Sequence, residues 1–254
     1  MLARDRISSI MEMIRENKSV LVSDLSSRFK VTDETIRRDL EKLEAQKLII
    51  RVHGGAYLFE GFEKGAPVSL RKQFLISEKE RISYKCLEFI ENKDTIMLDS
   101  STTSLYIAKA LKSSHFQVTV ISNYLDIINE LADVDSIKLL AIGGTYNISS
   151  RYFSGPATIA ALESYNADKA FVSCSSIDSK LNLTTHNEND GHIRGHMLKN
   201  STEKFLVIDH TKFDKASTYK FGELKDVDYI IMDKAPGSEW SKMIKNAGVI
   251  SVYA

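Results

Sequence analysis

The chain has 254 residues, enough for one large domain or two unequal ones, since domains average about 150 residues. Lys plus Arg and Asp plus Glu both number 34, so the formal net charge is 0, and 43% of the residues are hydrophobic. This composition excludes a disordered chain, a collagen-like chain and a highly charged tail protein, and zero net charge by itself argues against nucleic-acid binding.

The first 58 residues are predicted to form short helices. They hold 11 Lys/Arg and 9 Asp/Glu, a local charge of 11 − 9 = +2, which leaves 23 − 25 = −2 for the remainder. Apolar residues at helical spacing predict a first helix with one buried stripe: Ile7, Ile10, Met11 and Ile14. A second, short helix is predicted to have Ser23 as its N-cap and to end at Phe29.

A tight turn at 30–32 is predicted to separate this helix from a third one. Thr32 is a candidate N-cap, and the apolar residues Ile36, Leu40 and Leu43 follow at i, i+4 and i+7. A short helix, a three-residue turn and a second helix have the proportions of a helix-turn-helix, whose second helix enters the major groove of DNA.

The polar face of the third helix has two interpretations. It carries four residues that suit contacts with DNA: Thr35, Arg37, Arg38 and Lys42. Arg37, however, stands four residues from both Asp33 and Glu41, and Arg38 stands four from Glu34. Both arginines therefore also suit ordinary surface ion pairs, and the spacing alone leaves the two interpretations open.

A β-like run at 48–52 follows and is interrupted at 53–55. Arg51, His53 and Gly54 in this region are typical of a wing, where glycines let backbone N–H groups approach phosphates. Residues 59–75 show little periodicity and several helix breakers, so the predicted organisation is a domain at 1–58, a linker at 59–75 and a second domain at 76–254. Ser77 and Glu80 offer a capping box for the helix that opens the second domain.

From residue 95 onward, short apolar runs alternate with helical stretches. Seven runs have the length of buried strands: 95–98, 118–121, 139–142, 170–172, 205–208, 229–232 and 249–252. The intervening helices are predicted at 103–111, 125–131, 156–164, 190–199 and 239–246. This alternation predicts a Rossmann-like, mostly parallel α/β sheet covered on both faces. Asp99, Asp209 and Asp233 end three strands, where such sheets bind ligands, although an aspartate there can simply cap a loop.

The cysteines and the apolar runs point to a cytoplasmic protein without a membrane partner. Cys86 and Cys174 are in no metal-ligand spacing, and no run approaches the roughly 20 apolar residues of a membrane span. His192 and His196 stand at i, i+4, a metal-ligand spacing, with His186 and His210 nearby. Because no HExxH pattern accompanies them, hydrogen-bonded or exposed histidines are the preferred interpretation, and no metal is expected.

Two motifs of the first zone resemble the DeoR family of bacterial transcriptional regulators. They are Thr35-Ile36-Arg37-Arg38-Asp39-Leu40 and Arg51-Val52-His53-Gly54-Gly55-Ala56. The similarity covers residues 1 to about 58, the family's winged helix-turn-helix, and implies binding to operator DNA. The candidate DNA contacts are Thr32, Thr35, Arg37, Arg38, Lys42, Arg51, His53 and Gly54.

The second zone, from about Arg71 to the C-terminus, resembles the effector-sensing domain of the same family, which is related in fold to phosphosugar isomerases. Its main landmark is Asp99-Ser100-Ser101-Thr102-Thr103, where hydroxyls and the positive end of a helix attract an anion. A Ser/Thr run at a helix start is, however, more often a simple cap. The resemblance also implies a phosphate contact from Lys212. The candidate ligand-binding residues are Asp99, Ser100, Ser101, Thr102, Thr103, Asn123, Gly143, Gly144 and Lys212.

These features favour a repressor of a carbohydrate-utilisation operon that a phosphorylated sugar releases from operator DNA. We expect a homodimer or homotetramer, because operators contain two half-sites, and neither a cofactor nor a catalytic residue. Two alternatives stay open. One is a phosphosugar isomerase or deaminase that uses one of four aspartates as general base: Asp99, Asp178, Asp190 or Asp209. The other is a DNA-binding protein with an unresponsive sensor, because the family usually has glycine where Ser101, Ser175 and Ser176 stand.

Overall fold

The computed structural model describes residues 2–17, 19–46, 48–52, 54–58 and 68–254. The chain divides into two compact units, Met1–Ile76 and Ser77–Ala254. The described part of the first combines four helices with a small antiparallel sheet of order β1-β3-β2. Its elements in chain order are α1 (Ala3–Asn17), β1 (Ser19–Leu21), α2 (Val22–Phe29), α3 (Asp33–Ala45), β2 (Ile49–Val52), β3 (Gly55–Leu58) and α4 (Val68–Gln73).

The core of the first unit follows the predicted helical stripes. Its buried residues are Ile10, Met11, Ile14, Val20, Val22, Leu25, Ile36, Leu40, Leu43, Ile49 and Ala56. These side chains come from all three long helices and from the sheet, so α1, α2 and α3 enclose one common core. The predicted helix-turn-helix is therefore present as α2, a turn at 30–32 and α3.

Two predicted helix starts are wrong. α2 begins at Val22, one residue before the proposed cap Ser23, because the Val22 N–H donates to Gly54 O at 2.8 Å and needs no side-chain cap. The helix that opens the second unit begins at Ile76, so Ser77 lies inside it and hydrogen-bonds Glu78 at 2.8 Å instead of capping with Glu80.

The segment predicted as a linker, 59–75, contains regular structure. Within it, α4 occupies 68–73. Phe74 then packs edge-on against Tyr57, with ring centroids 5.7 Å apart, so the end of this segment belongs to the first unit. Residues 59–67 lie outside the described part of the chain.

The second unit is built on a seven-stranded sheet of order β15-β14-β12-β9-β4-β5-β6, and every pairing in it is parallel. Its strands are β4 (Thr95–Leu98), β5 (Val118–Ser122), β6 (Ile137–Ala141), β9 (Ala167–Val172), β12 (Ser201–Ile208), β14 (Tyr229–Met232) and β15 (Ile250–Tyr253). All seven strands were predicted. The Rossmann-like α/β fold is thus confirmed.

The helices of this unit also match the predicted stretches. They are α5 (Ile76–Leu87), α6 (Thr102–Lys112), α7 (Leu125–Leu131), α8 (Pro156–Glu163), α9 (Glu188–Lys199) and α10 (Ser238–Asn246). Five short strands were not predicted: β7 (Thr145–Asn147) and β8 (Tyr152–Ser154), which form a hairpin, and β10 (Ser176–Ile177), β11 (Asn182–Thr185) and β13 (Tyr219–Glu223), which form a small sheet.

The strand order places a topological switch at the middle of the sheet. From β4 the chain proceeds to β5 and β6 on one side, and then returns to β9, β12, β14 and β15 on the other. Ligands of open α/β sheets bind in the crevice at the carboxyl ends of strands where the order reverses. The switch lies between β4 and β9, so the residues that follow these strands, Asp99 and Ser173, mark the expected ligand position.

Candidate functional site

The candidate DNA-reading helix, α3, is capped as predicted. The Thr35 N–H donates to Thr32 Oγ1 at 3.3 Å, and the two threonine hydroxyls are 2.9 Å apart. The turn before it closes with Lys30 in the left-handed region at φ 52°. Thr32 thus fixes the N-terminal end of the helix, the end that enters the groove in a helix-turn-helix.

The arginines of α3 are exposed and share one carboxylate. Arg37 lies 3.9 Å and Arg38 3.3 Å from Glu34, and their side chains are 56% and 72% exposed. The predicted surface pairing therefore occurs for Arg38, whereas Arg37 pairs with Glu34 instead of Asp33 or Glu41. Exposed pairs contribute only about 0–1 kcal/mol, so DNA phosphates can replace Glu34 at little cost. Lys42 is also exposed.

The wing arginine is held by the recognition helix. Arg51 Nε donates to Glu44 Oε2 at 2.6 Å, its backbone N–H donates to Glu44 Oε1 at 3.0 Å, and a second nitrogen lies 3.5 Å from Glu41. Although partial burial favours protonation, the hydrogen bonds from Arg51 hold the pKa of Glu44 below its usual value. Arg51 therefore ties β2 to α3. Gly54 has φ 87°, and His53 lies outside the described residues.

A buried ion pair orients α3, and the sequence did not suggest it. Arg6 Nε on α1 donates to Asp39 Oδ2 at 2.5 Å, with side chains 9% and 3% exposed. Asp39 lies on the opposite face from Arg37 and Arg38, in the same motif. Asp39 is buried together with the apolar residues of α3. The sequence does not indicate this burial, because a charged side chain is normally expected on the surface.

At the carboxyl edge of the large sheet, Asp99 is completely buried and accepts four hydrogen bonds. Oδ1 accepts from the Ser101 N–H at 3.2 Å and the Ser104 hydroxyl at 2.6 Å. Oδ2 accepts from the Ser173 N–H at 3.0 Å and Arg194 Nε at 2.8 Å. Asp99 therefore joins the two sides of the switch point, and its lone pairs are occupied by protein groups.

Arg194 is the main site residue that sequence reasoning missed. It lies on α9, is 5% exposed, and donates to Thr185 Oγ1 at 3.0 Å besides its bond to Asp99. The histidines are the more conspicuous feature of this helix in the sequence. The signal was an arginine on the apolar side of the helix, together with buried Ile193 and Met197.

The loop from Ser100 to Thr103 lies at the start of α6, next to Asp99. Ser101 is the N-cap and accepts from the Ser104 N–H at 3.0 Å, so for this residue the simple-cap interpretation holds. All four side chains are nearly buried, at 4–8% exposed. The hydroxyls of Ser100, Thr102 and Thr103 make no hydrogen bond to another described residue. This arrangement provides donors beside a positive helix end, the chemistry that an anion requires.

The residues after β5 and β6 flank this loop. Asn123 is fully buried and its Nδ2 donates to Phe153 O at 2.7 Å. Gly144 has φ 146°, and an added Cβ would lie 2.0 Å from Thr158 Oγ1, so packing alone explains this glycine. Gly143 has open space around it, with no atom within 4 Å of an added Cβ.

Lys212 lies on the far side of the switch point, after β12. Its Nζ is 3.8 Å from Asp209 Oδ2. Burial disfavours charge on Asp209, but Lys212, Thr211 and the buried Lys79 together lower the pKa of its carboxyl. Cys174 lies among Arg194, Lys212, Asp209 and Asp99, and burial raises the pKa of its thiol to about 12. Arg194 and Lys212 thus both lie at the ends of the strands, where their positive charges can face an anion.

Both units match known protein families. Residues 6–61 match the DeoR-like helix-turn-helix domain, and residues 75–234 match the DeoR C-terminal sensor domain. The chain belongs to the DeoR family. This DeoR-family regulator is 34% identical to YulB, an uncharacterized HTH-type transcriptional regulator of Bacillus subtilis, over 92% of its own length and 90% of the relative. It is 31% identical to the glycerol-3-phosphate regulon repressor of Escherichia coli over 91% of each chain.

The predicted family is therefore confirmed, and the protein is a DNA-binding transcriptional regulator rather than an enzyme. Among solved structures, ribose 5-phosphate isomerase A of Methanocaldococcus jannaschii is 14% identical over 53% of each chain, with a TM-score of 0.40. Among the described residues, no helix combines the length and the apolar character of a membrane span.

The aspartates considered as general bases in the DeoR-family regulator are mostly held by donors. Asp99 accepts four hydrogen bonds, and Asp178 accepts three from Lys180 and Asn182. Despite some burial, the bonds from Asn182 and Lys180 lower the pKa of Asp178. A carboxylate with a lowered pKa is a poor proton acceptor, which agrees with a binding role for this edge of the sheet.

The histidines of the regulator have separate partners. His192 lies 3.6 Å from Glu188, His196 lies 3.4 Å from Glu163 on α8, and His210 Nδ1 is 2.6 Å from Asp233 Oδ2. Within the described ranges, no three His, Cys, Asp or Glu side chains are grouped to hold a metal ion. Each of these three imidazoles thus has a different carboxylate as its neighbour.

Proposed function

We propose that this regulator represses a carbohydrate-utilisation operon and is released from operator DNA by a phosphorylated sugar. The observation that carries the proposal is the loop 100–103, which presents hydroxyls at the start of α6 beside the topological switch of the sheet. A phosphate group matches this site, because it accepts several hydrogen bonds and is stabilised by the positive helix end. The relative that regulates the glycerol-3-phosphate regulon supports a phosphorylated ligand.

The proposed phosphate contacts come from three segments. Ser100, Thr102 and Thr103 donate hydroxyls, and the first N–H groups of α6 add backbone donors. Asp99 orders the loop instead of touching the ligand, because its oxygens already accept four bonds. Lys212 supplies charge from the other side, and Gly143 leaves open space after β6, two strands from β4.

For DNA, we propose that α3 reads bases in the major groove through Thr35, Arg38 and Lys42. Arg37 and Thr32 contact phosphates, as do Gly54 and His53 of the wing. Arg51 acts mainly by holding the wing on α3, because Glu44 and Glu41 neutralise its charge. A homodimer or homotetramer would present two such helices to half-sites about one helical turn apart.

Release would follow from a population shift. The sugar phosphate favours an arrangement of domains or subunits in which the two recognition helices no longer match the half-sites. A 10–100-fold difference in its affinity for the two arrangements corresponds to a coupling free energy of roughly 1–3 kcal/mol. The protein resides in the cytoplasm in this proposal, where both DNA and phosphorylated sugars are present.

The test uses the full-length protein and fluorescently labelled DNA from the region upstream of its own gene. We expect binding that prefers this DNA to a shuffled duplex, weakens with salt, and weakens further on addition of glucose 6-phosphate, fructose 6-phosphate or glycerol 3-phosphate. Arg38→Ala should lower operator affinity by about 1–3 kcal/mol, and Lys112→Ala, the same charge loss in the other unit, should leave it unchanged.

Thr103→Val tests the phosphate site, since it removes a hydroxyl and keeps the shape of the side chain. The variant should bind operator normally and resist release by the sugar phosphates. Equal affinity for operator and shuffled DNA would refute the regulator's proposed DNA contacts. If sugar phosphates still released both Thr103→Val and Thr102→Val from operator DNA as they release the unchanged protein, the phosphate site would be refuted.

A further inference from the structure

Four buried side-chain atoms in the second unit lack a hydrogen-bond partner among the described residues. One is His196 Nδ1, which lies 3.4 Å from Glu163. The other three are Asn123 Oδ1, the Tyr152 hydroxyl and Asp190 Oδ1. Asn123 is 0% and Tyr152 1% exposed. Leaving a buried polar atom unsatisfied costs about 1–3 kcal/mol, so native proteins seldom retain several in one region without a use for them. Each of the last three atoms is available for a hydrogen bond to a ligand, although Tyr152 and Asp190 are also close enough to interact with each other.

The fold brings the three residues to one place. The Phe153 N–H donates to Asn123 O at 2.9 Å and Asn123 Nδ2 donates back to Phe153 O, so Asn123 lies beside β8, which carries Tyr152. α9 packs against β8, and Asp190 lies in the first turn of α9. Burial, and then the negative charge of Asp190, raise the pKa of Tyr152, although no hydrogen bond of good geometry joins the two side chains.

This group, the polar cluster of Asn123, Tyr152 and Asp190, is connected to the loop proposed to bind phosphate. Arg194 follows Asp190 by one helical turn and donates to Asp99 at 2.8 Å. Asp99 in turn accepts from Ser101 and Ser104 at the start of α6. A ligand with its phosphate at Ser100–Thr103 would therefore extend its other end toward the polar cluster.

The chemistry of the polar cluster selects what it can bind. Asn123 has already used its amide N–H group on Phe153, so its remaining atom only accepts hydrogen bonds. The carboxylate oxygens of Asp190 accept hydrogen bonds, and the Tyr152 hydroxyl can donate or accept one. Arg194 is already bonded to Asp99, and among the described residues Asp190 forms no ion pair of its own, so its negative charge can repel an anion. A suitable ligand group donates hydrogen bonds and is not an anion.

We propose that Asn123, Tyr152 and Asp190 bind the hydroxyl groups of the effector and restrict it to monophosphates of neutral sugars or polyols. Phosphates that carry a carboxylate or a second phosphate at the other end are rejected, because Asp190 repels the added negative charge. The inference rests on the proposed function, since it places the phosphate of the same ligand at the loop 100–103.

The test measures binding to the full-length protein by calorimetry for three matched pairs. They are glucose 6-phosphate with 6-phosphogluconate, glycerol 3-phosphate with 3-phosphoglycerate, and fructose 6-phosphate with fructose 1,6-bisphosphate. Inorganic phosphate serves as a separate probe of the loop. We expect at least one neutral member to bind about 10-fold or more tightly than its acidic counterpart. Stronger or equal binding of the acidic members, or no binding of any neutral member, would overturn the inference.

Two variants identify the residues responsible. Asp190→Asn removes the repelling charge and adds an N–H donor, so the preference for the neutral member should fall by about 10-fold. Tyr152→Phe should lower the affinity for the sugar phosphate by up to about 10-fold, the effect of one hydrogen bond. It should leave the affinity for inorganic phosphate unchanged. Tyr146→Phe on the neighbouring strand is the matched control and should change neither. Melting of each unliganded variant verifies its fold.

The outcomes separate the two proposals. The proposed role of the polar cluster would be overturned if Asp190→Asn kept the preference for the neutral ligand and Tyr152→Phe kept its affinity for the sugar phosphate. The proposed phosphate site would still stand in that case, provided that Thr103→Val bound inorganic phosphate more weakly. If Thr103→Val bound both inorganic phosphate and the sugar phosphate with unchanged affinity, the result would instead count against the proposed phosphate site.

Discussion

At the scale of single residues, burial decides how much an ion pair of α3 contributes. Asp39 is buried with Arg6, at 3% and 9% exposure, whereas Glu34 pairs with Arg38 at 60% and 72% exposure. Both carboxylates belong to one helix and both face an arginine. Only the loss of Asp39 would leave a buried charge without a partner, which is the costly case.

We expect Asp39→Ala to destabilise the first unit by about 3–5 kcal/mol, because Arg6 would remain buried and unpaired. Glu34→Ala is the matched control and should change stability by no more than about 1 kcal/mol. Urea unfolding monitored by hydrogen exchange resolves the first unit from the second. Equal effects of the two substitutions would show that the Arg6–Asp39 contact is not a stabilising buried pair.

At the scale of elements, the connection between β6 and the β7–β8 hairpin depends on two glycines with different surroundings. Gly144 has φ 146°, and a Cβ there would meet Thr158 Oγ1 at 2.0 Å and Ser154 O at 2.7 Å. Gly143 meets nothing within 4 Å, and its carbonyl accepts from Thr158 Oγ1 at 2.8 Å. The hairpin, which carries Tyr152, is therefore positioned by close packing at Gly144 and not at Gly143.

Gly144→Ala should consequently destabilise the second unit by about 2 kcal/mol or more, from backbone strain and overpacking. Gly143→Ala should be tolerated within about 0.5 kcal/mol in the unliganded protein. Thermal unfolding of the two variants makes the comparison. If Gly143→Ala proved the more damaging change, the packing assigned to this connection would be wrong.

At the scale of the whole molecule, the zero net charge conceals an uneven distribution. The first 58 residues carry +2 and the rest −2. On α3, Arg37, Arg38 and Lys42 are exposed, while Asp39 points inward to Arg6. The direction in which charges point therefore matters more than their sum. With so small an excess charge, we expect modest non-specific affinity and a strong dependence on base contacts at two linked half-sites.

Coupling between the two units must be reciprocal if a sugar phosphate releases operator DNA. Saturating the protein with operator should then weaken its affinity for that sugar phosphate by the same factor, about 10–100-fold. Calorimetric titration of the full-length protein with and without operator measures this factor, and a duplex with scrambled half-sites is the control. Release of DNA without any change in ligand affinity would contradict a linked equilibrium and would indicate a non-specific salt effect of the added anion on DNA binding.

The sequence alone determined the longer elements of this protein. Strands of the parallel sheet, the helices between them and the cap at Thr32 were all predictable, because each depends on residues within a few positions of one another. The strand ends at Asp99 and Asn123 were also predictable as polar positions, and the family motifs identified the regulator.

Contacts between distant residues were decided only by the tertiary structure. Arg194 reaches Asp99 across 95 positions and Arg6 reaches Asp39 across 33, and no local pattern marks either pair. Ser23 does not cap α2, because Gly54 O, between β2 and β3, accepts the Val22 N–H instead. The short strand that carries Tyr152 has too few residues for a period of two to be visible. Periodicity reports which face of an element is buried, whereas the order and packing of the elements choose the partner of each buried polar group.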